Sequence, residues 1–394
     1  MKRHWDVIVA GGGPAGIFAA REAAARGSSV LLLERKQEMG VPVRCGEAVG
    51  AKDLASYVDI DPRWISSEIN TFILVLPNGK EVKLKNNMYT GYILNRDLFE
   101  YDMAADAAKK GAVIRMKSNV LELLPGKDAS PAGVRVDENG RICEHYARVV
   151  IAADGVESRI ARGAGIHTAL KPGDIEPCVQ VTASNVHLPE KALYLYVGFC
   201  YAPGGYAWAF PKDKGCANIG LGINGAYSRS EKPAAAYFED FLQRFFPDIS
   251  VQRYVAGGVP VTTNLHPLAK DELLIAGDAG RMVNPLNGGG ITHAIYSGIE
   301  AGRAAAQSCS DPAGMPGYFN TYQKNIQRRF GRNHEHQYRI KEIVYQMSDE
   351  DYNRIGEEVL KIDVKKRSFL SVFRHVVRQR PAFLTDVLRA FSGI

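Results

Sequence analysis

Apolar positions fall in short, separated runs through the first two thirds of the chain and in long helical spacings at its end. After Asp6 the run to Ala10 is apolar and stops at Gly11-Gly12-Gly13, as a strand buried on both faces does. Pro14–Arg26 is Ala-rich and ends at Gly27, which predicts a helix with a glycine stop. Ser29–Leu33 predicts a second buried strand closed by Glu34, so the chain opens as a βαβ unit. Residues 71–96 predict strands around the turn Pro77-Asn78-Gly79. A helix is expected over Asp97–Lys110. Strands follow in Val113–Leu124 and in Gly133–Ala153, with a turn at Glu138-Asn139-Gly140 and a buried end leading into Asp154-Gly155. Short alternating runs over 176–225 predict a second, largely antiparallel sheet. Glu231–Phe246 reads as a helix, Leu273–Ala276 as a last buried strand before Gly277-Asp278, and nearly everything from about 288 onward as helix.

This order of elements predicts an α/β plus α+β fold. A Rossmann-like nucleotide domain (1–70, 97–175 and 265–310) is interwoven with an antiparallel-sheet domain (71–96 and 176–264). A helical C-terminal region (311–394) follows. A length of 394 residues suits two interleaved domains, and 46% apolar residues support a large core. Six scattered cysteines without a C-x-x-C pair exclude a disulfide scaffold and a zinc ribbon. The nine histidines have no metal spacing, so no metal is expected. No signal peptide or membrane-spanning run is visible, which points to the cytoplasm. The net charge of +6 falls entirely in 324–394, where 15 Lys and Arg face 9 Asp and Glu. That segment fits an anionic partner or a solvated helical face.

Gly11-Gly12-Gly13-Pro14-Ala15-Gly16 fits G-x-G-x-x-G between a strand and a helix, the context a dinucleotide site requires. Gly11 permits the turn, Gly13 lets backbone approach a pyrophosphate, and Gly16 lets helix pack on strand. Glu34, at the end of the next strand, can accept from ribose hydroxyls. Gly220-Leu221-Gly222-Ile223-Asn224-Gly225 fits the same pattern, but it follows an antiparallel-type strand and leads into Ser228-Arg229-Ser230 without a helix opening. No separate nicotinamide fold is therefore expected, and an electron donor must dock transiently.

Asp154-Gly155 and Leu274–Ala279 resemble the second and third signatures of glutathione-reductase-like flavoproteins. Two further stretches are similar to the geranylgeranyl reductase family: Pro42–Glu47 (PVRCGE), and Tyr206-Ala207-Trp208-Ala209-Phe210-Pro211 with Gly220-Leu221-Gly222 eight residues on. Length and N-terminus look most like its archaeal branch, which saturates digeranylgeranylglycerophospholipids. The resemblance covers roughly 5–330. It implies FAD as cofactor, with Gly11, Gly13, Ala15, Gly16 and Glu34 at the nucleotide end, and Val120 beside the adenine. Arg44, Cys45, Gly46 and Ala48 would pass the isoalloxazine; family members often carry Gly at the last of these. Arg96 and Asp154 would reach the cofactor, Asp278 the ribityl chain, and Gly289, Gly290 and Ile291 the pyrimidine end.

Tyr206, Trp208 and Phe210 share one face of a strand, where they could wall a slot for a polyprenyl chain or form ordinary sheet core. Gly220 and Gly222 are expected to leave room for the ligand. Cys45 has three open readings: cofactor contact, redox chemistry and packing. Cys45 and Tyr206 are weak catalytic candidates, and the sequence names no proton donor. Arg44 either holds charge near reduced flavin or caps its loop. The basic amphipathic stretch Lys365–Val377, continued by Phe383, Leu384, Val387, Leu388 and Phe391, packs on the body or meets an anionic, peripheral membrane surface.

The implied reaction is saturation of isolated C=C bonds in geranylgeranyl chains, with electrons from ferredoxin, a deazaflavin or a nicotinamide, and no nucleic acid as partner. A flavin-dependent aromatic hydroxylase would share the nucleotide signatures but not the Trp208 and Arg44–Gly46 stretches. A non-catalytic prenyl-lipid carrier would have little reason to keep Glu34 and Asp278.

Overall fold

The computed structural model describes residues 4–85, 90–124, 126, 133–230 and 232–379. The first sheet runs in the order Ala269–Lys270, Leu273–Ile275, Arg141–Ala152, His4–Ala10, Val30–Leu33, Val113–Arg115. Neighbours along this path are parallel except the first pair, and Gly133–Glu138 and Ser118–Leu124 extend the sheet from Arg141–Ala152 as an antiparallel branch. Its central strands are almost wholly buried, and Pro14–Ala25 and Ile291–Ser310 pack closely on one another against the sheet. Small residues permit that contact. A Cβ on Gly298 would stand 2.2 Å from the Ala15 carbonyl oxygen, and one on Gly302 2.4 Å from that of Ala19.

The second sheet has the order Ser250–Pro260, Ile175–Ser184, Ala217–Gly222, Tyr206–Pro211, Ala192–Val197, Thr71–Val75, Glu81–Lys85. Its pairs are antiparallel apart from Ala192–Val197 with Thr71–Val75. Period-two alternation gives it two faces. Val179, Val181, Ala207, Ala209, Ile219 and Leu221 face the helix Ala234–Phe245. The opposite face aligns Gln180, Gly220, Trp208, Leu195 and Leu74 in one row, with Cys178, Gly222, Tyr206 and Val197 in the next. A small third sheet, Ala48–Gly50, Gly91–Leu94 and Ile65–Ile69, lies against this face.

One reading changes, and one open alternative is met at three positions. A six-residue helix, Gly225–Ser230, does follow Gly220–Asn224, although the strand before it is antiparallel. Phe369 and Val372 of the helix Phe369–Gln379 pack against Leu74, Leu84 and Val359, and Phe373 packs against Ile340. At those positions the apolar stripe covers the protein body. Phe383, Leu384, Val387, Leu388 and Phe391 lie outside the described residues. Among the described residues no helix is long and apolar enough to cross a membrane.

Candidate active site

Three loops converge at the carboxyl ends of the parallel strands. In the first, Gly11 has φ +109 and a Cβ there would stand 2.3 Å from Ala153 O, while one on Gly16 would stand 1.8 Å from Gly11 O. The fold itself demands both glycines. Gly13 differs: among the described residues, its chain neighbours aside, no atom lies within 4 Å of where its Cβ would be. It sits at the N-cap of Pro14–Ala25, and no side chain satisfies that helix end. Open space at free N–H groups is what an anion needs. Ala15 packs against Gly277 of the third loop.

Glu34 is buried, and its Oε2 accepts from Gly12 N at 2.6 Å and its Oε1 from Lys36 N at 2.8 Å. Each oxygen keeps a lone pair for a further donor. Val120 lies on Ser118–Leu124, whose first N–H bonds to Glu34 O at 2.8 Å. In the second loop, Asp154 Oδ2 accepts from Ile160 N at 3.1 Å, while Oδ1 is buried without a partner among the described residues. Burial raises the Asp154 carboxyl above its ordinary value. The third loop carries Asp278, also raised by burial and partly opposed by Arg96. A Cβ on Gly290 would stand 3.7 Å from Asp278 Oδ1. Gly289 N donates to Asn287 Oδ1 at 2.9 Å, and Gly290 precedes Ile291, the first residue of an N-terminally uncapped helix.

The segment Arg44–Ala48 crosses between these loops and the antiparallel sheet. A Cβ on Gly46 would stand 2.8 Å from Phe210 Cε2. Gln180 Nε2 donates to Cys45 O at 2.9 Å, and Trp208 Nε1 donates to Gln180 Oε1 at 3.1 Å. Glu47 anchors the segment: Oε1 accepts from Arg96 N at 2.9 Å, and Oε2 from Lys212 Nζ at 2.7 Å and Asn218 Nδ2 at 2.5 Å. Arg96 also binds Glu100 Oε1 at 2.5 Å and reaches the Cys45 thiol. Burial disfavours its charge, but Glu100 and Cys45 outweigh that and hold the guanidinium above its usual value. Ala48 enters the small sheet opposite Ile93. Arg44 is exposed, its Cδ 3.8 Å from where a Cβ on Gly257 would lie.

Tyr206, Trp208 and Phe210 do share one face, and Tyr206 donates to Asn287 O at 2.7 Å. Burial pushes its phenol well above the ordinary range, and Glu176 adds to that. With its proton engaged and tightly held, Tyr206 is a poor acid. The expectation for the glycines is overturned. A Cβ on Gly220 would stand 2.5 Å from Trp208 Cζ2, and one on Gly222 2.8 Å from Cys178 Sγ. The space they leave is filled by the indole and by the Cys178 thiol, so they seat protein side chains rather than a ligand. Sequence reasoning missed Glu47, Gln180, Lys212 and Asn218. The available signal was a polar residue in register with apolar ones on an alternating strand, as at Gln180 and Asn218. The fold also brings Cys178 within electrostatic range of Cys45, both thiols being free.

The geranylgeranyl reductase catalytic domain model matches residues 174–259, and the FAD dependent oxidoreductase model matches 6–42. A digeranylgeranylglycerophospholipid reductase of Methanococcoides burtonii is 34% identical over 100% of this chain and 99% of its own. One from Methanothrix thermoacetophila is 37% identical over 97% and 98%. The chain belongs to the geranylgeranyl reductase family. A geranylgeranyl bacteriochlorophyll reductase-like structure from Thermoplasma acidophilum superposes with TM-score 0.90 at 30% identity, covering 99% of this chain and 100% of its own. A p-nitrophenol 4-monooxygenase of Pseudomonas putida, 16% identical with TM-score 0.71 over 97% of this chain and 99% of its own, shares the fold alone. This geranylgeranyl reductase family member is an FAD-dependent oxidoreductase acting on CH–CH groups. The open approach to Gly13, the two uncapped helix ends and the unpartnered Asp154 Oδ1 fit that cofactor.

Proposed function

We propose that the chain saturates isolated C=C bonds of geranylgeranyl chains in archaeal-type ether membrane lipids, with digeranylgeranylglycerophospholipid as substrate. The observation that carries this reading is the full-length match to reductases named for that lipid, joined to an apolar sheet face beside the flavin loops. Gly11, Gly13, Ala15 and Gly16 take the pyrophosphate at the open helix end. Glu34 takes the ribose, and Val120 flanks the adenine. Asp278 and Asp154 hold the ribityl side, and Gly289, Gly290 and Ile291 meet the pyrimidine end. Arg96 and the segment Arg44, Cys45, Gly46 and Ala48 lie along the ring. When bound and reduced, FAD supplies a hydride. The protein excludes water, and Trp208 and Phe210 with Tyr206 orient the prenyl chain. Electrons arrive from a donor that docks transiently. Exposed Lys365 and Lys366, within the segment that holds all the net charge, draw the protein to anionic lipid surfaces.

The test is chemical reduction of the FAD-loaded protein without oxygen, addition of the unsaturated phospholipid, and mass spectrometry of its chains. The expected gain is about 2 mass units for each bond saturated. Unchanged chains would refute the assignment, and an oxygen-dependent hydroxylated product would favour a monooxygenase.

A further inference from the structure

On Ile175–Ser184, Glu176, Cys178 and Gln180 point to the same face as Tyr206 and Trp208. Gly222, paired with both Cys178 and Tyr206, lacks a side chain, and Glu176 Oε2 lies 3.3 Å from where its Cβ would be. The carboxyl therefore leans across Gly222 towards Tyr206. Tyr206 donates to Asn287 O at 2.7 Å and Tyr345 to Leu286 O at 3.1 Å, so the two phenols pin the glycine-rich loop that leads to Gly289–Ile291. Glu176 stands between these phenols. It is 4% exposed, and its Oε1 is buried with no hydrogen-bond partner among the described residues. An acid oxygen left unpartnered there is costly unless it serves a ligand.

The groups facing it are Tyr345, Lys341, Tyr206 and Cys178, with Cys45 beyond. Lys341 is held by Val261 O at 2.9 Å, Gly173 O at 3.2 Å and Glu342 Oε1 at 3.0 Å, so its charge is directed elsewhere. Burial moves the Tyr206, Tyr345 and Cys178 protons beyond reach near neutrality. Burial raises Glu176 to about 7, opposed in part by the nearby Tyr345 hydroxyl and the charge of Lys341. That is the value a general acid needs at physiological pH.

We propose that Glu176 is the proton source for the alkene, an inference that rests on the function proposed above. As the π bond breaks, one carbon gains the hydride that reduced FAD supplies, with its electron pair. The other carbon gains the proton from the Glu176 carboxyl. Two C–H bonds form, the O–H bond breaks, and the carboxylate left behind is reprotonated by water before the next turnover. The two electrons are those the flavin already carries.

Wild type, Glu176→Gln and Glu176→Asp are compared as FAD-loaded proteins. Without lipid, infrared titration of wild type should show a protonated-carboxyl band disappearing near pH 7, and Glu176→Gln should lack it. With anaerobically reduced protein and lipid, the wild-type rate should fall about tenfold per pH unit above that midpoint. Glu176→Gln should bind FAD and lipid within about threefold of wild type, yet react at least about 100-fold more slowly and without the alkaline limb. Glu176→Asp should restore that limb. A Glu176→Gln rate within about threefold of wild type with the limb intact, or the absence of a titrating band, overturns the proposal. Wild type that leaves the lipid unreduced overturns the functional reading itself, and is told apart because the infrared band still titrates.

Discussion

Gly13 and Gly16 lie in one turn yet meet different surroundings. Gly16 has backbone 1.8 Å from its would-be Cβ, and Gly13 has open space. Gly16→Ala should therefore destabilise the flavin-free chain by about 2 kcal/mol or more. Gly13→Ala should leave flavin-free thermal unfolding unchanged and weaken FAD binding; equal loss of stability in both would contradict the assignment. Gly220→Ala should shift Trp208 fluorescence and cost roughly 1–3 kcal/mol, since the new methyl meets the indole. The nucleotide glycines were legible in the sequence because turn chemistry is local. The partners of Gly220 and Gly222 were not, because they come from a strand neighbour and from Cys178. Glu176 also carries a pH signature. Its value rises from 4.5 to about 7 on folding, so the native state holds a proton that the unfolded chain releases. Stability should fall as pH rises from 4.5 to about 7, and Glu176→Gln should remove that decline, worth roughly 3 kcal/mol, in denaturant titrations at several pH values.

Elements buried on both faces were the easiest to read. His4–Ala10, Val30–Leu33 and Leu273–Ile275 match their apolar runs closely, because no polar face interrupts them. Ser250–Pro260 escaped notice. It is an edge strand, largely exposed, and alternation fades where one side meets water. The π-helical turn Gln327–Gly331 was equally invisible. It sets Phe330 against His293 at 4.4 Å and His334 at 5.5 Å. Burial lowers His293 to about 4 and His334 to about 3. Both stay neutral in the native state while the unfolded chain takes up protons below its ordinary value of 6.5, so stability should be lost as pH falls from there. Going from pH 7 to pH 5 should cost about 2 kcal/mol per histidine, and His334→Phe should lessen that dependence in chemical denaturation.

At the scale of the whole molecule, one sheet face runs from Trp208 and Phe210 through Leu195, Leu74 and Phe72 to the C-terminal helices at Val359 and Phe369. The sequence showed the aromatic strand but not this continuity, because Thr71–Val75 pairs in parallel with Ala192–Val197, the aromatic strand's neighbour, from far away in the chain. The same contacts decide which basic residues can be changed to probe membrane attachment. Arg367 donates to Leu360 O and Ile362 O, each at 2.8 Å, and so closes a helix; reversing its charge would disturb folding. Lys365→Glu with Lys366→Glu should weaken binding to anionic vesicles, and added salt should do the same. Undiminished binding would remove the surface role. The central claim is that flavin electrons pass directly to a prenyl alkene on this face. An anaerobic single-turnover experiment tests it most directly: the protein is reduced, excess donor is removed, and digeranylgeranyl phospholipid is added. The yellow oxidised-flavin absorbance should return without oxygen, with one double bond saturated per flavin. Flavin that stays reduced until oxygen is admitted, over lipid that is unchanged, would contradict it.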